Sequence, residues 1–203
     1  MKLLIDKIRE DKFLTNSLIF FIGSFLVGVG NYLYHFLTAR MLTVEVYGEL
    51  QSLLAILAVT GVLTGAISTV LTKYTADFKA KNWPNKIYTL FLLFTKKILT
   101  VTVIFFIFFL ILSGYIAKFL NLTSILPLMI LGTAFLFGFL GSINAGVLRG
   151  LQKFKELSVV SIISVLLKIL FAILLIKLGF ALNGAVGAVV LAGLIGYLIS
   201  FIP

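Results

Sequence analysis

Few side chains in this chain could do chemistry, and most of them sit in apolar surroundings. Lys168 stands near the middle of the segment LSVVSIISVLLKILFAILLIK. An ammonium at the centre of a membrane-crossing helix costs about 2.5–3.5 kcal/mol. The Leu, Ile, Val and Phe residues of the segment contribute roughly −6 kcal/mol at about −0.4 each, so it inserts despite the charge. At about 100° per residue, Ser161, Ser164 and Ala172 fall within roughly 40° of Lys168, and these four define one face. The chemistry such a face offers is electrostatic. A cation in a low-dielectric hollow attracts an anionic group strongly, with Ser164 beside it as a further contact. The plainer alternative is a lysine paired with carbonyls or an acid for packing, or one that snorkels to the interface.

Three more candidates lie on or just beyond the first apolar segment. Asn31 and His35 share a polar stripe with Ser17, Ser24, Gly28 and Thr38, all within roughly 80° on a helical projection. His35 is the single histidine and titrates near neutral pH without help. It could sense protons or bond a sugar, or simply sit at the interface. Arg40 ends the stripe, with Glu45 and Glu49 close behind. That trio reads as a surface ion-pair cluster closing a tight turn, or as an outer gate. Asn31, His35, Arg40, Ser164 and Lys168 are therefore the candidate substrate-binding residues. Seven acids, one histidine and no cysteine leave no metal site, disulfide or nucleophile–base constellation, so neither an enzyme nor a cofactor is expected.

The elements that must position these residues are membrane helices. The chain has 203 residues, 61% of them hydrophobic, and a mean hydropathy of +1.19. A soluble domain of this size could not hide that much apolar surface. The pattern predicts an all-α polytopic membrane protein with six spans at about 14–38, 47–73, 88–117, 123–147, 158–177 and 181–202. The first two, joined by the polar connection Arg40–Tyr47, set the design. Thr60, Thr64, Ser68 and Thr72 step down the second at every fourth position, beside Gly61 and Gly65. Such a face turns toward other helices or water. The third is read as an interfacial extension near Ile87–Lys97 followed by a span over Ile98–Ala117. Gly138, Ser142 and Ala145 share a face of the fourth, and Gly184, Gly187, Ala188, Ala192 and Gly196 crowd the sixth; both read chiefly as packing faces.

Charge sets the expected orientation. With the N-terminus inside, thirteen basic residues face the cytoplasm and only Arg40, Lys118 and Lys177 lie outside. Net charge of +10 is thereby explained by topology, and nucleic acid is not an expected partner. Residues 1–13 form a charged amphipathic lead, either lying on lipid headgroups or solvated.

Three stretches carry a family resemblance. They are Ala39-Arg40-Met41-Leu42 with Val46-Tyr47-Gly48, leading to Thr72-Lys73-Tyr74; the run Ala145-Gly146-Val147-Leu148-Arg149-Gly150-Leu151-Gln152-Lys153-Phe154; and Asn183-Gly184-Ala185-Val186-Gly187-Ala188. Together they resemble the polysaccharide-transport branch of the multidrug/oligosaccharidyl-lipid/polysaccharide exporter superfamily, over the N-terminal six-helix lobe of a member. The resemblance implies a MATE-like fold with both termini cytoplasmic and two lobes flanking a V-shaped cavity. It implies a flippase in the cytoplasmic membrane of the cell that moves undecaprenyl-diphosphate-linked oligosaccharide outward for surface polysaccharide synthesis. In such flippases cavity cations contact the diphosphate; Lys168 suits that role by position and charge. Partners would be membrane lipid, the lipid-linked glycan and a second six-helix lobe, supplied by a missing C-terminal half or a second copy. Alternatives are a multidrug or small-metabolite exporter of the same superfamily, against which stands the lack of a mid-membrane acid, and a truncated lobe that does not transport.

Overall fold

The computed structural model describes residues 12–201, with side chains from Leu18 onward; residues 1–11 of the amphipathic lead lie outside them, and its last two residues begin the first helix. Among the described residues there are six α-helices and one π-helical turn. They are α1 (Lys12–Met41), α2 (Val44–Ala80), α3 (Pro84–Phe119), α4 (Leu126–Gly150), α5 (Phe154–Leu175) and α6 (Ala181–Ile199), with the π turn at Ile176–Phe180 between the last two. The all-helical expectation holds. Five helices are long and apolar enough to cross a membrane, which makes this a multi-pass membrane protein. The count differs from the expected six because Phe154–Ile199 is one continuous apolar stretch. It breaks at Gly179, whose φ of +90° suits a residue without a Cβ.

The helix ends are set by local chemistry. α2, α3 and α4 each close with one residue in the left-handed region: Asn82 (φ 53°), Asn121 (φ 50°) and Gln152 (φ 61°). In each case the next amide reaches back five residues, Trp83 to Phe78, Leu122 to Ala117 and Lys153 to Leu148, all at 2.9 Å. This is the Schellman closure, and two of its three pivots are asparagine, which tolerates positive φ. Only Leu42 and Thr43 separate α1 from α2, with Thr43 capping α2 by accepting from the Val46 amide. α3 is unbroken from Pro84, so the expected interfacial piece and its span are one helix. At 37 and 36 residues, α2 and α3 run about 55 Å, well past a hydrocarbon core of about 30 Å.

Close glycine contacts define which helices pack. An added Cβ at Gly146 would meet Leu71 Cβ and Ser68 O at 2.8 Å, and one at Gly150 would meet Thr75 Cβ at 2.5 Å, so α2 and α4 run parallel in tight apposition. Gly23 and Gly30 do the same for α1 against Ser158 and Val165 of α5. Gly184 lies on Leu175 and Gly196 on Ser164, so α5 and α6 are antiparallel. α3 is antiparallel to α4 through Phe109–Phe135 (4.9 Å) and Phe105–Phe139 (6.3 Å) ring contacts. Aromatic edge-to-face pairs add about 0.5–1.5 kcal/mol each beyond their buried area. Leu50, Leu53, Leu128, Leu131, Phe135 and Val186 complete this core between α2, α3, α4 and α6. α1 stands on the other side, held by α5, and hardly touches α2 beyond their shared turn. The result is an open cleft with α1 and α5 on one wall, α2 on the other, and α4 and α6 as its floor.

Candidate functional site

The cleft is hollow where the small residues fall. A cavity of about 380 Å³ opens between α1, α4, α5 and α6, with Asn31, Gly138, Gly141, Ala145, Ser161, Ser164, Lys168, Gly193 and Gly196 among its lining. A second, of about 250 Å³, adjoins it across Phe137, Gly138, Val189 and Gly193 and reaches Thr60, Gly61 and Thr64 of α2. A third, of about 210 Å³, meets the first at Val27, Leu157 and Ser161 and extends to Ser24 and Arg149. The three form one groove along the cleft.

Lys168 points into this groove. Its Nζ donates to Asn31 Oδ1 at 2.5 Å and lies 4.4 Å from the Tyr34 ring centroid. A cation over a tyrosine face gains about 0.5–2 kcal/mol, depending on desolvation. No carboxylate pairs with it among the described residues. Glu45 and Glu49 lie in the first turns of α2, Asp77 in its last, and Glu156 in the first turn of α5. The ammonium is thus held by an amide oxygen and a π face, which orient it without neutralising it. Tyr34 in turn is 1% exposed and its hydroxyl donates to Ala185 O at 3.0 Å, which ties α1 to α6 beneath the lysine.

The structure brings Lys168, Asn31 and Ser164 together and leaves His35 and Arg40 apart. Ser164 lines the cavity while its hydroxyl donates to Val160 O at 2.8 Å, so its oxygen retains acceptor capacity. His35 is not in the cavity lining; it bonds Gln51, Nδ1 to Nε2 at 3.0 Å, bridging α1 to α2 at one end of the cleft. Arg40 is exposed, its guanidinium 5.4 Å from the Phe36 ring. The expected Arg40–Glu45–Glu49 cluster does not form, because Glu49 instead accepts from the Thr123 amide (3.2 Å) and hydroxyl (3.0 Å) on the α3–α4 loop. The faces of small residues also divide their roles. Gly138 and Ala145 of α4 open onto the cavities, while Gly132, Gly146 and Gly150 do the packing.

Two participants escape sequence reasoning. Tyr34 is not singled out as a candidate by the sequence, yet it is buried beside Lys168. Arg149 reads as a loop charge on the cytoplasmic side, yet it lies in the last turn of α4, donates from Nη1 to Ser68 Oγ at 3.2 Å, and sits 5.9 Å from the Phe20 ring. Chemically, the groove can attract and orient an anionic group at Lys168 and offer hydroxyls and backbone around it. The described residues contain no His/Cys/Asp/Glu group able to hold a metal. No family model, curated protein or solved structure matches this chain.

Proposed function

We propose that the chain is one lobe of an exporter that moves a lipid-linked, phosphate-bearing oligosaccharide across the cytoplasmic membrane, as the resemblance to polysaccharide-transport flippases implies. The observation that carries the reading is Lys168 facing a groove of glycine, alanine and serine with no acid beside it among the described residues. An ammonium buried for packing alone would be expected to have an acid partner. One kept without an acid is available to a mobile anion. The openness of the cleft between α1 and α2 supports passage of a head group while the lipid tail stays in the bilayer.

In this reading the two limbs of Phe154–Ile199 each cross the membrane, which makes six crossings in a MATE-like arrangement. The alternating helix directions support it: contacts set α1, α3 and α5 one way and α2, α4 and α6 the other. Both termini are then cytoplasmic, in keeping with the basic residues at that end. A second lobe, from another segment or another copy, would close the cavity. Lys168 contacts the diphosphate, and Asn31 and Ser164 flank it.

The test is Lys168→Ala in the cells that encode the chain, with protein level monitored. Loss of surface glycan, with lipid-linked glycan accumulating on the inner leaflet, is the expected result. Undiminished export at normal protein levels would remove Lys168 from the mechanism. Efflux of small cationic drugs without a glycan phenotype would instead favour the multidrug alternative.

A further inference from the structure

The tip of the α2–α3 hairpin reaches past the helices packed against it. The Phe109–Phe135 and Phe105–Phe139 ring pairs set α3 on α4 in a register that brings Gly150, the last residue of α4, level with Phe94. Pro84–Leu93 therefore runs on beyond α4, by about 15 Å. On α2, Gly150 lies against Thr75, so Ala76–Ala80 run on as well. Even tilted by about 40°, helices of 36 and 37 residues stand about 40 Å tall, which carries the tip out of the hydrocarbon and into the headgroup layer. What the tip exposes suits that layer and not water. Tyr88 is 65% exposed, Leu93 53%, Leu92 47% and Trp83 42%. A large apolar patch of this kind needs a cover. Lys86, Lys96 and Lys97 are exposed on the same half of α3 as Tyr88, Leu92 and Leu93. From Lys73 to Lys97 there are six lysines and one acid, Asp77. Lys79 is committed to the end of α4, donating to Leu151 O at 2.7 Å and Gln152 Oε1 at 3.2 Å. Lys81 and Lys86 flank the Trp83 ring, with Nζ 5.2 and 3.6 Å from its centroid. An aromatic ring edged by ammonium groups matches the boundary between acyl chains and headgroups.

We propose that the α2–α3 tip is a docking surface for lipids of net negative charge. Trp83, Tyr88, Leu92 and Leu93 enter the upper acyl region, and Lys81, Lys86, Lys96 and Lys97 meet the headgroups. A zwitterionic headgroup carries its own cation, so the excess of lysine over acid selects the anionic lipid. A second copy would bring the same lysines to the contact and be repelled. None of these lysines lines the groove, and the proposal does not depend on the transport reading.

Trp83 is the single tryptophan of the chain, so its fluorescence reports on the tip itself. The test is that fluorescence for the full chain in nanodiscs of equal parts phosphatidylcholine and phosphatidylglycerol, with bromine carried on the acyl chains of one lipid or the other. Quenching by both brominated lipids, with phosphatidylglycerol preferred about fivefold or more at low salt, is the expected result. The preference should fall toward parity in molar salt. It should fall likewise when Lys81→Gln and Lys86→Gln are combined, and when Lys96→Gln and Lys97→Gln are. Lys81→Arg with Lys86→Arg keeps the charge and should keep the preference. All four lysines are exposed, and quenching by brominated phosphatidylcholine shows in each variant that the tip still sits in the bilayer. Emission quenched by neither lipid would overturn the proposal: a tip in water would emit like free tryptophan, and one covered by protein would emit at shorter wavelength. Equal quenching by the two lipids at low salt would also overturn it, as would a preference that survives both glutamine pairs.

Discussion

Lys168 on α5 and Asn31 on α1 meet through a 2.5 Å hydrogen bond across 137 positions of sequence. The bond continues a parallel register already set by Gly23–Ser158 and Gly30–Val165 lower on the same two helices. It makes two opposite predictions. Lys168→Met keeps much of the length of the side chain and removes a partly buried charge, so thermal unfolding in detergent should show stability unchanged or raised. Asn31→Val leaves the ammonium without its acceptor and should cost about 1 kcal/mol. Destabilisation by Lys168→Met as large as that by Asn31→Val would mean the lysine is there for packing.

The α2–α4 seam predicts a contrast among glycines. Gly150→Ala drives a methyl into Thr75 Cβ at 2.5 Å and Thr72 O at 2.8 Å, and Gly146→Ala meets backbone at Ser68. Each should destabilise by about 1–3 kcal/mol through overpacking. Gly61 and Gly65 on the same α2 have nothing within 4 Å of the place a methyl would take. Their replacement by alanine should be neutral or stabilising by up to about 1 kcal/mol, from helix propensity. Unfolding of the four single variants in one detergent separates the pairs.

Tyr34 joins packing to polarity. Tyr34→Phe removes the hydroxyl bond to Ala185 O but keeps the ring under Lys168, and should cost about 1 kcal/mol. Tyr34→Ala empties a site that is 1% exposed and should cost about 3–5 kcal/mol. Near-equal losses in the two variants would show that the hydrogen bond, and not the ring, holds α1 to α6.

Much of this architecture is legible in residue order, and the reasons differ by residue. The span of each helix follows from apolar length, and Asn82 and Asn121 end helices where left-handed backbone is needed. Lys168 could be assigned to an inner face, with Ser164 on the same side, because lipid would penalise a charge elsewhere. The pairing of Lys168 with Asn31 could not, since α1 could have met any of five helices. The expected Arg40–Glu49 pairing fails for the same reason. Local sequence brings those charges near each other, but Thr123 from a distant loop offers two donors and wins. Arg149 is legible only as a topology signal, because charge counting cannot tell a loop cation from one folded back into a groove. The break at Gly179 falls in the gap 178–180 left between the expected spans 158–177 and 181–202, although the apolar stretch Phe154–Ile199 is otherwise continuous.

That break carries its own prediction. Gly179 holds φ +90° and Ala181 holds φ 40°, ψ −118°, an arrangement that strains a residue with a Cβ. Gly179→Ala should destabilise the α5–α6 hairpin by about 1–2 kcal/mol. Ala181→Gly should do the reverse, raising the unfolding temperature. A fall in that temperature with Ala181→Gly would show that the turn relaxes into another backbone in the membrane.

The last prediction concerns how the cleft is held. α1 and α2 are tied at one end by the His35–Gln51 bond of 3.0 Å. At the other end Arg149 spans them, bonded to Ser68 of α2 and lying over Phe20 of α1. Between these ties the two helices face each other across the groove, so their spacing depends on a pair of polar contacts and not on a packed seam. Breaking the first tie with Gln51→Leu should widen the distribution of α1–α2 distances while leaving α2–α4 unchanged, because the glycine seam of Gly146 and Gly150 does not involve Gln51. The chain has no cysteine, so spin labels can be placed singly at exposed Val29 and Val62 without background. Pulsed electron spin resonance then reads the spacing directly. A distribution that stays narrow in Gln51→Leu would mean that the cleft is set by α5 and α6 alone, and that the polar tie is only a surface contact.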